Sequence, residues 1–118
     1  MTTQQIKLVK DLEELKNKIR LTQDRKEINS YIMQAIQMAT PVEPRLVYIS
    51  SNEGTPYYQG KASIINLLKN EAQHLSNYLD IEDVHFQISG TLTMLMTKFV
   101  DGIHGIEQAL NVNSNISV

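Results

Sequence analysis

The chain has no cysteine, and its 118 residues include only three prolines and five glycines. Without cysteine there is no disulfide, thiolate metal site or cysteine nucleophile, which sets aside a stapled secreted scaffold and makes a reducing, cytoplasmic setting the expected one. No apolar run reaches the roughly 20 residues that cross a bilayer, and the opening stretch "MTTQQIKLVKDLEELKNK" lacks the apolar block of a signal peptide. No membrane association is expected. An excess of one charge is missing too: the net charge is −2, whereas a dedicated nucleic-acid binder needs a basic surface to neutralise phosphates. Nucleic acid is therefore not an expected partner. Phosphate-cradling glycine loops, nucleophile elbows and the His-Glu-x-x-His of zinc hydrolases are also absent, so the chain reads as a non-enzyme with no cofactor and no metal.

What is present is an ordinary globular composition, 42% hydrophobic and 20% charged, in a chain long enough to bury about two-thirds of its unfolded surface. One helical domain over residues 1–110 is expected, followed by a polar, flexible tail, "NVNSNISV", over 111–118. The charge is uneven: residues 1–30 hold seven Lys/Arg against five Asp/Glu, and the rest four against eight. A basic first helix beside acidic later ones accounts for this; a weak phosphate-contacting patch around Lys16, Lys18, Arg20, Arg25 and Lys26 is the alternative.

Leu8, Leu12, Leu15 and Ile19 recur at spacings of four, three and four and line one helical face, with Val9 on its flank. Asp24 and Glu27 then have capping-box spacing, Asp24 accepting from a first-turn amide while Glu27 reaches back. Ile28, Ile32, Ala35 and Ala39 form the inward stripe of a second helix. The two stripes differ in phase by roughly 170°, so the chain must break near residues 20–24 rather than run on as one rod. Pro41 and Pro44 stop the second helix.

Residues 45–59, "RLVYISSNEGTPYYQ", combine β-branched and aromatic residues with turn chemistry, and read as a short hairpin or loop. The third helix is "KASIINLLKNEAQHLSNYLD", residues 61–80, with Ile64, Leu67, Leu68, Ala72, Leu75, Tyr78 and Leu79 on one broad arc. Asp80 is its boundary and the next helix's cap, with Asp83 three residues on. Beyond it Ile81, Val84, Ile88, Leu92, Leu95, Phe99, Ile103, Ile106 and Leu110 fall within about 100° of helical arc, which predicts one long fourth helix, bent at Gly90 or Gly102 if at all. The same pattern leaves Phe86, Met94, Met96 and Val100 as a second greasy flank, pointing to self-association. Thr91, Gly102 and Ala109 form a small-residue ridge that admits a neighbouring helix. The fold expected is an all-α antiparallel four-helix bundle, interrupted between helices 2 and 3 by the tyrosine-rich hairpin or loop.

Glu71 falls in the middle of the third helix's apolar face. An unpartnered carboxylate taken from water costs several kcal/mol, so four states remain open: partial exposure at the bundle's mouth, pairing with a buried cation or hydroxyl that fixes helix register, contact with a ligand, or metal ligation through the Glu-x-x-His spacing with His74. If the chain reverses near Asp80, His74 and His85 come level, and Glu71, His74 and His85 form a polar cluster at a helix junction. The expected function is that of a non-catalytic protein-binding or inhibitory accessory protein, a small helical homo-oligomer holding a protein partner. The alternative is sequestration of a phosphate-bearing, nucleotide-like small molecule in subunit-interface pockets lined by Arg45, Tyr48, Tyr57, Tyr58 and Lys61.

Overall fold

The computed structural model describes residues 1–45 and 60–112, and within them the chain is all-helical. α1 runs Thr3–Leu21, α2 Arg25–Ala39, α3 Lys61–Gln73, α4 Ile81–Met96 and α5 Gly102–Leu110. The tyrosine-rich hairpin or loop and the tail beyond Val112 lie outside the described residues. No described helix is long and apolar enough to cross a membrane.

α1 starts at a capping box. Thr2 Oγ1 accepts from the Gln5 amide at 3.0 Å, and the Thr2 amide donates to Gln5 Oε1 at 3.0 Å. Gln5 Nε2 donates to the Glu43 carbonyl at 3.0 Å, which ties this end to the chain after α2 and explains why a glutamine is buried there. The expected break falls at Thr22–Asp24. Asp24 caps α2 through a 2.9 Å bond from the Lys26 amide. Glu27 does not reach back to it as the capping-box spacing predicts; its carboxylate accepts from Thr22 Oγ1 at 3.1 Å and from the Tyr31 hydroxyl at 2.8 Å.

The apolar stripes of α1, α2 and α4 do what their spacing predicts; on α3 Ile64 and Leu68 are buried as expected, together with Ile65, which the arc left out, while Leu67 is only half-buried. Leu8, Val9, Leu12, Leu15 and Ile19 of α1 meet Ile28, Ile32, Ala35, Ile36 and Ala39 of α2, Ile64, Ile65 and Leu68 of α3, and Val84, Ile88, Leu92 and Leu95 of α4 in one buried core. Contacts of α1 with α2, α2 with α3, α3 with α4 and α4 with α1 close a ring of four helices, and α5 packs on α1.

Two expectations about element ends need correction. α3 stops at Gln73, and a single 3₁₀ turn, Leu75–Asn77, leads to α4. Leu75 stays in the core, but Leu79, expected on the buried arc, is 94% exposed. The Arg25 guanidinium accounts for the departure: Nε donates to the Leu75 carbonyl at 3.3 Å, and Nη2 to Tyr78 at 2.8 Å and Leu79 at 3.4 Å. These carbonyls are thereby satisfied without a continued helix.

The predicted fourth rod is two helices. α4 ends at Met96, the Lys98 and Phe99 amides bond the carbonyls of Leu95 and Met96 in tighter turns, and Gly102 has φ +65°. That left-handed conformation suits glycine and cannot be passed by a continuous α-helix. The stripe therefore holds through Phe99, and beyond it only Ile106 stays buried. Ile103 is 58% exposed and Leu110 is exposed, while Ala109 joins Ile106 in the core. The second greasy flank also divides: Met96 and Val100 are buried, Phe86 and Met94 are not. A Cβ on Gly105 would lie 3.1 Å from the Val100 Cβ, so α5 folds back tightly against the turn it leaves. Of the small-residue ridge, Thr91 faces α3 and Ala109 is buried where α5 packs on α1, so both have neighbours within the chain.

Candidate functional site

Glu71 is 5% exposed. From α3 its Oε2 accepts from two α4 side chains, Gln87 Nε2 at 2.7 Å and Thr91 Oγ1 at 3.0 Å. Its Oε1 is buried and has no hydrogen-bond partner among the described residues. The carboxylate thus lies in the core against neutral donors, the hydroxyl pairing among the four states above, with an amide added and no cation among the described residues.

The polar cluster does not assemble. His74 is exposed and its Nδ1 bonds the Asn70 carbonyl of its own helix at 2.7 Å. His85 reaches the other way, its Nε2 bonding the Thr22 carbonyl between α1 and α2 at 2.8 Å. The expectation assumed a tight reversal at Asp80; the turn instead occupies His74 to Asp80, which offsets the two imidazoles. Among the described residues no three His, Asp or Glu side chains come close enough to hold a metal ion.

Of the expected ligand pocket, Tyr48, Tyr57 and Tyr58 lie outside the described residues. Lys61 is committed elsewhere: its ammonium donates to the carbonyls of Ala39 at 3.3 Å, Thr40 at 2.8 Å and Val42 at 2.8 Å. Three protons meet three acceptors, which caps the C-terminus of α2 and leaves no N–H for an anion. Arg45 pairs with Asp101, Nη1 to Oδ1 at 3.4 Å, and its amide donates to the Lys98 carbonyl at 2.8 Å, fastening the chain after α2 to the α4–α5 turn.

The basic patch is dispersed. Lys16 pairs with Glu13 at 3.1 Å and Lys18 lies 3.9 Å from Glu14, while Arg25 holds the carbonyls named above. Arg20 forms no ion pair among the described residues. With Lys16 it lines an open groove of about 530 Å³ between α1 and α4, whose other wall is His85, Phe86, Ser89, Gly90 and Thr93. The wall residues follow helical spacing, with 85, 89 and 93 one row and 86 and 90 the next. This row was visible in the sequence; that α1 lies across from it was not.

Leu21, Leu79 and Phe86, at 85%, 94% and 82%, are the most exposed large apolar side chains among the described residues. All three belong to one end of the molecule. The His85 bond to Thr22 joins the start of α4 to the residue after Leu21, and the Arg25 bond to the Leu79 carbonyl joins Leu79 to the start of α2.

No protein-family model, no curated protein and no solved structure matches the chain.

Proposed function

We propose that the chain is a non-catalytic binding protein that self-associates and serves as an accessory or inhibitory partner to another protein. The ring of helices is taken as the antiparallel four-helix bundle of the sequence analysis, with α5 added on α1 and the tyrosine segment inserted between α2 and α3. The observation that carries this reading is the gathering of Leu21, Leu79 and Phe86 at one end. Scattered apolar surface is normal, but three nearly unburied large side chains at one pole are the pattern of a contact surface. A two-fold axis through that pole pairs the patch with itself and shields all three from water in both copies.

Mass by light scattering tests it. At about 100 µM, well above the dissociation constant of a stable small dimer, the wild type is expected at a multiple of its 13.4 kDa chain mass. The Leu79→Ser/Phe86→Ser variant, changed only at exposed side chains, is expected at the single-chain mass. A wild type that stays at one chain mass rules out self-association.

A further inference from the structure

We infer that the groove between α1 and α4 binds a small organic phosphate, a phosphomonoester carrying a planar ring. Charge selects the anion. Arg20 brings a guanidinium with no carboxylate partner among the described residues, and Lys16 brings a second cation, shared with Glu13. A guanidinium fork matches two phosphate oxygens at once.

The wall supplies one hydroxyl as well as charge. Ser89 Oγ is buried and bonded to nothing, although a helical serine ordinarily turns back to the preceding carbonyls. Thr93 does so, donating to the Ser89 carbonyl at 2.9 Å while accepting from Lys16 Nζ at 3.3 Å. The Thr22 carbonyl only accepts, so His85 Nε2 carries a proton and Nδ1 is left without a partner among the described residues. A phosphate beside Arg20 meets one cation, and the Ser89 hydroxyl, closed to solvent as it stands, reaches it by turning about χ1 toward the groove. Phe86 offers an exposed ring for a planar group to stack on.

Gly90 is the independent sign. It sits inside α4, where glycine disfavours the helix. Its φ is not positive, and a Cβ there would meet nothing within 4 Å. Neither backbone conformation nor close packing calls for glycine. What the missing side chain does is keep the groove open, at a volume within the roughly 300–1,000 Å³ of small-molecule sites.

Phe86 belongs to both the groove and the proposed contact end, and it stacks a ligand ring only in the single chain; light scattering reads self-association, and ligand titration reads this inference. Adenosine monophosphate, inorganic phosphate and a short polyglutamate peptide are titrated, each to about 10 mM, against the full chain with backbone amide NMR. Saturable shifts are expected for adenosine monophosphate, centred on residues 16–20 and 85–93. Arg20→Ala is expected to weaken it roughly tenfold or more. Phe86→Ala is expected to weaken adenosine monophosphate but leave inorganic phosphate unchanged. Gly90→Met carries a side chain into the groove from a Cβ that meets nothing within 4 Å, and is expected to abolish binding while melting no lower than the wild type. Absence of saturable shifts, equal affinity in Gly90→Met, or binding of the acidic peptide alone would each overturn the inference, the last in favour of an acidic protein segment.

Discussion

Glu71 and Thr91 meet across α3 and α4 at 3.0 Å, yet the threonine does not depend on the glutamate. Its hydroxyl lies 3.1 Å from the Gln87 carbonyl, one turn back on its own helix, and a hydroxyl has one proton to give. Gln87 is exposed and can turn its amide to water. Removing the carboxylate therefore strands neither donor and takes a charged group with one unbonded oxygen out of the core. Glu71→Met is expected to be neutral or stabilising by about 1 kcal/mol in chemical denaturation. Glu71→Gln, which keeps an acceptor oxygen, is expected to change little. A loss of more than about 2 kcal/mol in the methionine variant would mean that the carboxylate has an obligatory partner.

Glycines 90 and 102 are expected to respond to alanine with opposite signs. Gly102→Ala forces a left-handed residue with a Cβ and is expected to cost about 1–2 kcal/mol. Gly90→Ala enters open space in mid-helix and is expected to add about 0.5–1 kcal/mol. Thermal melting of the two variants side by side checks both.

How much of this was legible in the sequence follows from what helical periodicity reports. It places a residue around a helix axis, so the core faces of α1, α2 and α4 were readable, as was Glu71's place on the apolar face, though not whether it is buried. It does not reveal one residue with positive φ. Glycine within an apolar repeat fits a bend and a break equally, and Ile103 and Leu110 were misplaced because Gly102 is a break. Nor does it give the register of one helix against another. Glu71 meeting Gln87 and Thr91, His85 turning to Thr22, and Arg20 facing Ser89 all depend on how neighbours are set. The carbonyl bonds of Lys61 and Arg25 were hidden for a related reason. A cation that clasps the carbonyls at the end of a distant helix looks, in sequence, like one waiting for a ligand.

Lys61→Met separates those two roles. It keeps the apolar stem and removes the three bonds to the end of α2, so a loss of about 1–2 kcal/mol is expected. Phosphate affinity is expected to stay at the wild-type value. A stable variant with weakened phosphate binding would return Lys61 to a ligand-contacting role.

Tyr31 gives a test by titration. Its hydrogen bond to Glu27, with smaller contributions from desolvation and the carboxylate's charge, raises the phenol above its ordinary 10.0. A raised acid of this kind favours the fold below the unfolded value and loses that contribution as pH climbs through the folded one. Ring-proton NMR is expected to show Tyr31 titrating above its ordinary value in the wild type, and moving toward its ordinary range in Glu27→Gln. Unchanged titration in that variant would mean that the bond does not persist in solution.

The most direct test of the contact end uses the chain's lack of cysteine. One cysteine is introduced at a time, as Leu21→Cys, Leu79→Cys or Phe86→Cys, with Met33→Cys on α2 as an exposed control, and each variant is oxidised mildly. If two copies meet pole to pole, at least one of the first three becomes a disulfide-linked pair of 13.4 kDa chains well before the control does. Cross-linking at all three positions no faster than at Met33 would contradict the account.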